Sequence, residues 1–252
     1  MPGEADAHAA LWREIHTCRK CLADPALSPI LKTEPVFVPL PGPPARPDGF
    51  PVRYMLVAAE PSAAWALSAE DGRDKITRGF RNFMHSSGDF VLQYAAERWL
   101  VGAREAYVIT DLAKCAMSIK AARAAGQRCY ENCSAFLERE VALFQPKAMI
   151  GVGQKAFGFL RGRPMAGVQI FGIVHYSVLG QVHWNQQLGG PNWREDLPPL
   201  ETLQAFFDAR RRESLALKDR LTATEIDLKL LAVYRQQFSA IREALATGET
   251  TS

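Results

Sequence analysis

Four cysteines have the spacing in this sequence that best suits metal chemistry. Cys18 and Cys21 form a C-x-x-C pair, whereas Cys115 and Cys133 each stand far downstream. A zinc ribbon would normally show two close pairs, so this spacing instead suits a centre that ties the N-terminal segment to the body of the domain. Thiolates in fours bind iron–sulfur clusters or zinc. Cys129 lies near Cys133 and is the alternative fourth ligand.

Length, composition and charge exclude several classes of protein. The chain has 252 residues, of which 48% are hydrophobic, enough for one large α/β domain or two small ones. No apolar run approaches the roughly 20 residues of a membrane span, and the acidic N-terminus is unlike a signal peptide. Five cysteines without a secretory signal predict a reducing, cytoplasmic setting. The net charge of +3 permits DNA binding only through a local basic face.

Alternating strand and helix patterns predict an α/β fold with a mainly parallel sheet. Continuous apolar runs predict four buried strands, at residues 54–59, 106–110, 148–152 and 168–174. Ligands bind at the carboxyl ends of such strands. The residues at those ends are Glu60, Asp111, Gly153 and His175.

The C-terminal part of the chain has a different pattern. Residues 200–218 and 222–246 predict two long helices, the second beginning with a capping box formed by Thr222 and Glu225. We therefore expect one domain over residues 1–198 and a C-terminal helical extension over residues 199–252.

Six motifs occur in the order found in one enzyme family. They are the C-x-x-C pair, LVAAEPS, RGFRNFMHSSGDFVL, YVITDLAKC, ENCSAFLEREVALFQPKAMIGVGQKA and VHYSV. Together they cover Cys18 to about Gln181, and this part resembles the iron–sulfur, family 4-like branch of the uracil-DNA glycosylase superfamily. The resemblance implies a three-layer fold, in which helices flank a four-stranded parallel sheet. It also implies a DNA-binding hydrolase that flips bases, and we expect the protein to be a monomer.

The resemblance implies roles for individual residues. Cys18, Cys21, Cys115 and Cys133 would hold a 4Fe–4S cluster, and the match to the family's C-x-P-F-L favours Cys133 over Cys129. Phe83 would stack on the flipped base, unless it is only a core residue.

Glu60 and His175 are the expected catalytic residues. His175 follows the fourth strand, where it could stabilise negative charge on the departing base. Glu60 could orient water or stabilise the sugar cation, and the alternative is that it caps the following turn.

Asp111 departs from the family pattern, in which an asparagine reads uracil. An ionised aspartate only accepts hydrogen bonds, so it would repel O4 of uracil and accept from the amino group of cytosine. Plain cytosine cannot be the target, because its excision would destroy the cell's own genome. Ser62, Ala63 and Ala64 leave space beside C5 of the ring. The pattern predicts a C5-substituted cytosine, as in phage DNA, and an antiviral role in a bacterial or phage-related protein; alternatively, Asp111 caps a loop.

Two segments are candidate DNA contacts. Lys114, Lys120 and Arg123 belong to a basic stretch that could bind phosphates or simply be solvated. His183 and Trp184 lie in the loop after His175, which inserts into the duplex in the resembling family, although Trp184 could equally be a core residue.

The leading hypothesis is a monofunctional DNA glycosylase that hydrolyses an N-glycosidic bond and leaves an abasic site. One rival is an ordinary uracil-DNA glycosylase of base-excision repair. The other is a non-catalytic DNA-binding module with the same fold.

Overall fold

The computed structural model describes residues 4–32, 38–39, 49–177, 184, 186–188, 192–212 and 221–248. The helices are α1 (Glu4–Thr17), α2 (Lys20–Ala23), α3 (Ser28–Leu31), α4 (Ala69–Thr77), α5 (Ser87–Ala95), α6 (Ile119–Phe144), α7 (Gln154–Arg161), α8 (Leu200–Arg211) and α9 (Glu225–Thr247). The strands are β1 (Val38–Pro39), β2 (Val52–Ala58), β3 (Ala106–Asp111), β4 (Cys115–Ala116), β5 (Ala148–Val152) and β6 (Gln169–Ile173). A π-helical turn, Ala96–Leu100, continues α5.

A four-stranded parallel sheet forms the centre of the fold, in the order β3-β2-β5-β6. The prediction of an α/β fold with a parallel sheet and flanking helices is confirmed. The predicted strand bounds differ from the observed ones by at most two residues, because continuous apolar runs give a strong signal for strands buried on both faces. A separate pair, β1 and β4, is antiparallel.

Alternate residues of the central strands enter two cores on opposite faces of the sheet. On one face, Leu56 and Ile150 pack with α5, α8 and α9. On the other face, Met55 and Met149 pack with α6, α7 and the short helices near Cys21. The molecule therefore has three layers, and both the cysteine-bearing helix α6 and the C-terminal helix α9 support the sheet directly.

The C-terminal helices share the core of the sheet. Tyr234 and Phe238 on α9 are fully buried, and they belong to the same apolar cluster as Leu56. The capping box of α9 is formed by Thr224 and Asp227, two residues later than predicted. Its side chains satisfy backbone N–H groups that are otherwise unpaired at the helix start. Within the described ranges, no helix combines the length and apolar character needed to cross a membrane.

Candidate functional site

The carboxyl edge of the sheet gathers the polar residues that the sequence singles out. Glu60 follows β2, Asp111 ends β3 and His175 follows β6, and all these strands run in the same direction. Asp111 pairs in register with Ala58 of β2. Since β3 and β6 are separated by two strands, Asp111 and His175 lie three strand spacings apart, roughly 14 Å along the sheet. This edge is the candidate active site.

Asp111 is a buried carboxyl group, only 4% exposed. The side-chain amide of Asn82 donates a hydrogen bond to its Oδ2, whereas its Oδ1 has no partner among the described residues. Burial raises the pKa of Asp111 well above its ordinary value; the ammonium of Lys114 opposes this rise, and the nearby carboxylate of Glu60 adds to it. Oδ1 of Asp111 is therefore the atom that could accept a hydrogen bond from a ligand.

Glu60 is fixed by two side chains from the helices behind it. The hydroxyl of Tyr130 on α6 donates a hydrogen bond to Oε2, and Nζ of Lys155 on α7 lies 3.3 Å from Oε1. The carboxylate is mostly buried, so these partners determine its direction. Burial, and after it the hydrogen bond to Glu60, raises the pKa of Tyr130. The phenol therefore stays protonated and remains a donor.

His175 is held as a neutral hydrogen-bond donor. The backbone N–H of Ser177 donates to its Nδ1 at 2.9 Å, so that nitrogen carries no proton and the ring proton is on Nε2. Burial lowers the pKa of His175, with Asp89 opposing this change. The ring stacks on Tyr176 with centroids 4.7 Å apart. Gly153 lies against it with φ of +88°, and a Cβ there would be 3.0 Å from Cβ of His175.

Helix α9 also positions the His175 segment. The hydroxyl of Tyr234 donates to the carbonyl of Val174, and the side-chain carbonyl of Gln237 accepts from the backbone N–H of Val174, both at 3.1 Å. The indole of Trp184 donates to the carbonyl of His175 at 2.8 Å. The C-terminal extension thus helps to place the imidazole.

Phe83 occupies a strained backbone conformation in the core. Its φ is +59°, in the left-handed region that bulky residues rarely adopt. The side-chain amide of Gln93 donates to its carbonyl, and its ring is fully buried. Such conformations persist only where surrounding contacts enforce them, and they concentrate at functional sites.

Asp89 and Tyr176 were not among the predicted site residues. Asp89 is buried and accepts from the backbone N–H groups of His85 and Ser86 at 3.1 and 2.9 Å. Its charge acts on both His175 and Tyr176. The S-x-x-D capping box beginning at Ser86 was readable in the sequence. Its link to His175 was not, because Asp89 and His175 belong to distant segments of the chain.

The four predicted ligand cysteines line one small cavity, together with Lys114 and other residues. They are Cys18, Cys21, Cys115 and Cys133. Cys129 is excluded from that lining but contacts Cys21, and this contact raises the pKa of Cys21 to about 11. Burial raises the pKa of Cys115, and contact with Cys21 raises that of Cys133.

Within the described part of the chain, no three His, Cys, Asp or Glu residues are close enough to bind a single metal ion. A four-iron cluster distributes its ligands over four iron atoms, so its thiolates need not converge on one point. Four thiols around one cavity fit such a cluster in donor type and number.

The residues predicted to contact DNA differ in their exposure. Lys120 and Arg123 are exposed, and so is Ser62, which was predicted to bind the substrate. Lys114 is only 1% exposed, and its ammonium forms a buried ion pair with Glu140 at 2.6 Å. In this conformation it cannot reach a phosphate. Trp184 is 3% exposed and lies in the core beside the sheet. His183 lies outside the described residues.

Comparison of the sequence with models of known protein families and with curated proteins finds no match.

Proposed function

We propose that this protein is a monofunctional DNA glycosylase. The observation that carries this proposal is the grouping, at one sheet edge, of a buried acceptor at Asp111, a neutral imidazole donor at His175 and an oriented carboxylate at Glu60. An extruded nucleobase needs just these functions: an edge reader, a donor for the departing base and a group that supports attack at the sugar.

The reaction can be written with these residues alone. The bond between C1′ and the base nitrogen breaks, and its electron pair leaves with the base. Nε2–H of His175 stabilises the negative charge that develops on the base's carbonyl oxygen. Glu60 stabilises the sugar cation and orients a water, whose oxygen bonds to C1′. One proton of that water passes to the carboxylate of Glu60 and from there to the base anion. An abasic sugar and a free base result.

Asp111 would choose the base. When ionised, its free oxygen accepts a hydrogen bond from the amino group of a cytosine ring. Ser62 is exposed at the start of the loop after Glu60, with its hydroxyl turned to the backbone N–H of Ala64 at 3.2 Å. Because the ionised Asp111 would accept from an amino group and the side chains of Ser62, Ala63 and Ala64 are small, the proposed substrate is a C5-substituted cytosine. Excision of such a base from phage DNA would act as an antiviral defence inside the bacterial cytoplasm.

One observation favours uracil as the second candidate substrate. Burial raises the pKa of Asp111, and a protonated carboxyl group donates as well as accepts. In that state the free oxygen would donate to O4 of uracil, and the protein would be a uracil-DNA glycosylase of base-excision repair. The protonation state of one residue thus separates the two substrates.

A 4Fe–4S cluster held by Cys18, Cys21, Cys115 and Cys133 is part of the proposal. When bound, it would act as a structural cross-link between the N-terminal helices, β4 and α6. Lys114 connects its cavity to the site, because its ammonium also holds the carbonyl of Asp111 at 2.7 Å.

Mass spectrometry of bases released from duplexes that contain uracil, cytosine or C5-modified cytosines tests the proposal. Glu60→Ala and His175→Ala should abolish release while DNA binding survives, and Glu131→Ala, an exposed change on α6, should behave as wild type. Release of uracil alone would refute the cytosine assignment. DNA binding without release of any base would indicate a non-catalytic module.

A further inference from the structure

The imidazole of His175 stacks on the ring of the next residue, Tyr176. The two ring centroids are 4.7 Å apart, and the ring planes differ by 22°. The backbone N–H of Ser177 holds Nδ1 of the imidazole at 2.9 Å, and the stack is a further contact that limits rotation of the imidazole. The direction of Nε2–H therefore depends on where the ring of Tyr176 lies, and a hydrogen bond weakens steeply when its angle departs from linearity.

The start of helix α5 fixes the position of that ring. A Cβ at Gly88, the second residue of the helix, would lie 2.5 Å from Cδ2 of Tyr176. Cβ and Cγ of Tyr176 would be crowded as well, each at 3.0 Å, which leaves the aromatic side chain little room to turn away. Glycine is a poor helix former, so its presence here suits the close approach of Tyr176 rather than the helix.

Asp89 faces the hydroxyl group of the same ring. Its carboxylate is buried, and Oδ2 accepts from the backbone N–H groups of His85 and Ser86. Burial, and after it the charge of Asp89, raises the pKa of Tyr176, so the phenol stays protonated and uncharged. Two consecutive residues of α5 therefore contact or face the neutral ring on which His175 lies.

We propose that Tyr176 is a positioning residue for His175, and that Gly88 acts on the candidate site through Tyr176. The ring of Tyr176 would hold the imidazole so that Nε2–H meets the carbonyl oxygen of the departing base. This inference rests on the proposed function, which gives His175 that role. A misplacement of about 1 Å at a reacting group can cost about 10²-fold in rate, so a change at Gly88 should slow the chemical step.

The test uses Gly88→Ala, Tyr176→Ala, their double variant and Tyr176→Phe. Gly158→Ala is the matched control, because Gly158 is also a helical glycine, on α7, but a Cβ there would enter open space. Single-turnover release of base with saturating enzyme measures the chemical step. Affinity for a duplex that carries an abasic-site analogue is measured separately, and melting curves show whether each variant is folded at the assay temperature.

Gly88→Ala and Tyr176→Ala should each release base about tenfold or more slowly, at unchanged affinity for DNA. Tyr176→Phe should stay within about threefold of wild type, because it keeps the ring. Since Tyr176→Ala removes Cδ2 and Cγ, the added Cβ of Gly88→Ala no longer displaces a ring, and the double variant should be within about twofold of Tyr176→Ala alone. Gly158→Ala should match wild type.

NMR of the free protein tests the same contact without any substrate. The ring of Tyr176 shields the ring protons of His175, and their signals are identified among the five histidines by their absence in His175→Gln. These signals should move downfield in Tyr176→Ala and change position in Gly88→Ala. In Gly158→Ala they should stay where they are in wild type.

With an active wild type, a wild-type rate in Tyr176→Ala would overturn the proposal. A loss from Gly88→Ala that persists in full in the Tyr176→Ala background would do the same, because Gly88 would then act by another route. His175 signals that stay unchanged in both variants would refute the positioning role whatever the activity. If wild type releases no base while those signals respond as expected, the positioning of His175 by Tyr176 stands and the glycosylase proposal fails.

Discussion

Asn82 donates a side-chain hydrogen bond to Oδ2 of Asp111, 29 positions along the chain, and Oδ1 of the same carboxyl group has no partner among the described residues. The pair therefore orients Asp111 and leaves one oxygen for a ligand. A buried group without a partner normally destabilises a protein, so its retention suits a binding role.

Asp111→Asn should stabilise the protein at neutral pH. Because the pKa of Asp111 is raised in the folded state, the native protein holds this proton more tightly than the unfolded chain does. The stability that the protonated Asp111 contributes is thus lost as pH rises above the pKa that this carboxyl has in the unfolded chain. The uncharged amide of asparagine avoids that loss. We expect a gain of about 1–3 kcal/mol at pH 7–8, shrinking below pH 4, in denaturant titrations. Asp74→Asn, an exposed change, should show no such pH-dependent gain.

The same substitution should change the base that is released. An amide donates and accepts, so Asp111→Asn should favour uracil over a cytosine-type base by about tenfold or more. In wild type, release of the cytosine-type base should rise with pH through the raised pKa of Asp111, whereas uracil release should fall. Single-turnover rates on paired substrates measure both. An unchanged preference would show that another residue reads the base.

Glu60→Gln should lower the rate of base release by about 10²–10⁴-fold, because the amide cannot stabilise a sugar cation. Tyr130→Phe removes only the hydrogen bond that orients Glu60, so a loss of about tenfold is expected. Single-turnover kinetics with saturating enzyme separates these losses from changes in DNA affinity. Phe159→Leu on α7 perturbs packing near Tyr130 without touching Glu60 and serves as the control.

His175 should be most effective when neutral. Since burial lowers its pKa, the folded protein binds fewer protons at His175 than the unfolded chain, and acidification through the unfolded value destabilises the fold. Protonation would also place a proton on Nδ1, facing the backbone N–H of Ser177. In an Asp111→Asn background, where residue 111 does not titrate, we expect base release to fall as pH decreases through the lowered pKa of His175. His175→Gln should lower the rate of base release by about 10²–10³-fold and remove its decrease at low pH. His16→Gln should change neither the rate nor its pH dependence.

The buried pair of Lys114 and Glu140 should be critical for stability. Glu140→Gln would leave the ammonium without a counter-charge and should cost about 3–5 kcal/mol of unfolding free energy. The double variant Lys114→Met with Glu140→Leu removes both charges and should recover most of that loss. Chemical denaturation of the three proteins measures the effect. A double variant that loses as much stability as Glu140→Gln would mean that an unpaired Lys114 charge is not the cause of the loss.

Cysteine variants should distinguish the fourth ligand. Cys133→Ser should lose iron and acid-labile sulfide together with thermal stability, because a ligand that binds only the folded state stabilises it. Cys129→Ser should retain both, since Cys129 does not line the cysteine cavity. Metal analysis of protein purified without oxygen gives the answer. The reverse pattern would assign the role to Cys129.

Much of this fold was readable from the sequence. Four apolar runs predicted the four strands, and their alternation with helices predicted a parallel sheet, whose carboxyl edge holds Glu60, Asp111 and His175. These inferences succeeded because the periodicity of each segment, and the alternation of strands with helices along the chain, are carried by neighbouring residues. The start of α9 was placed two residues early, since both Thr222 and Thr224 have an acidic residue three positions later.

Only the tertiary structure decided which side chains meet. Tyr130 reaches Glu60 across 70 positions, and no local pattern predicts that contact. Lys114 and Trp184 have residue types that suit DNA binding, yet packing has buried both and turned their polar atoms inward. The sequence determined the strands and the edge at which they end, because these depend on local periodicity. The partners, the burial and hence the protonation of each site residue depend on how distant segments pack.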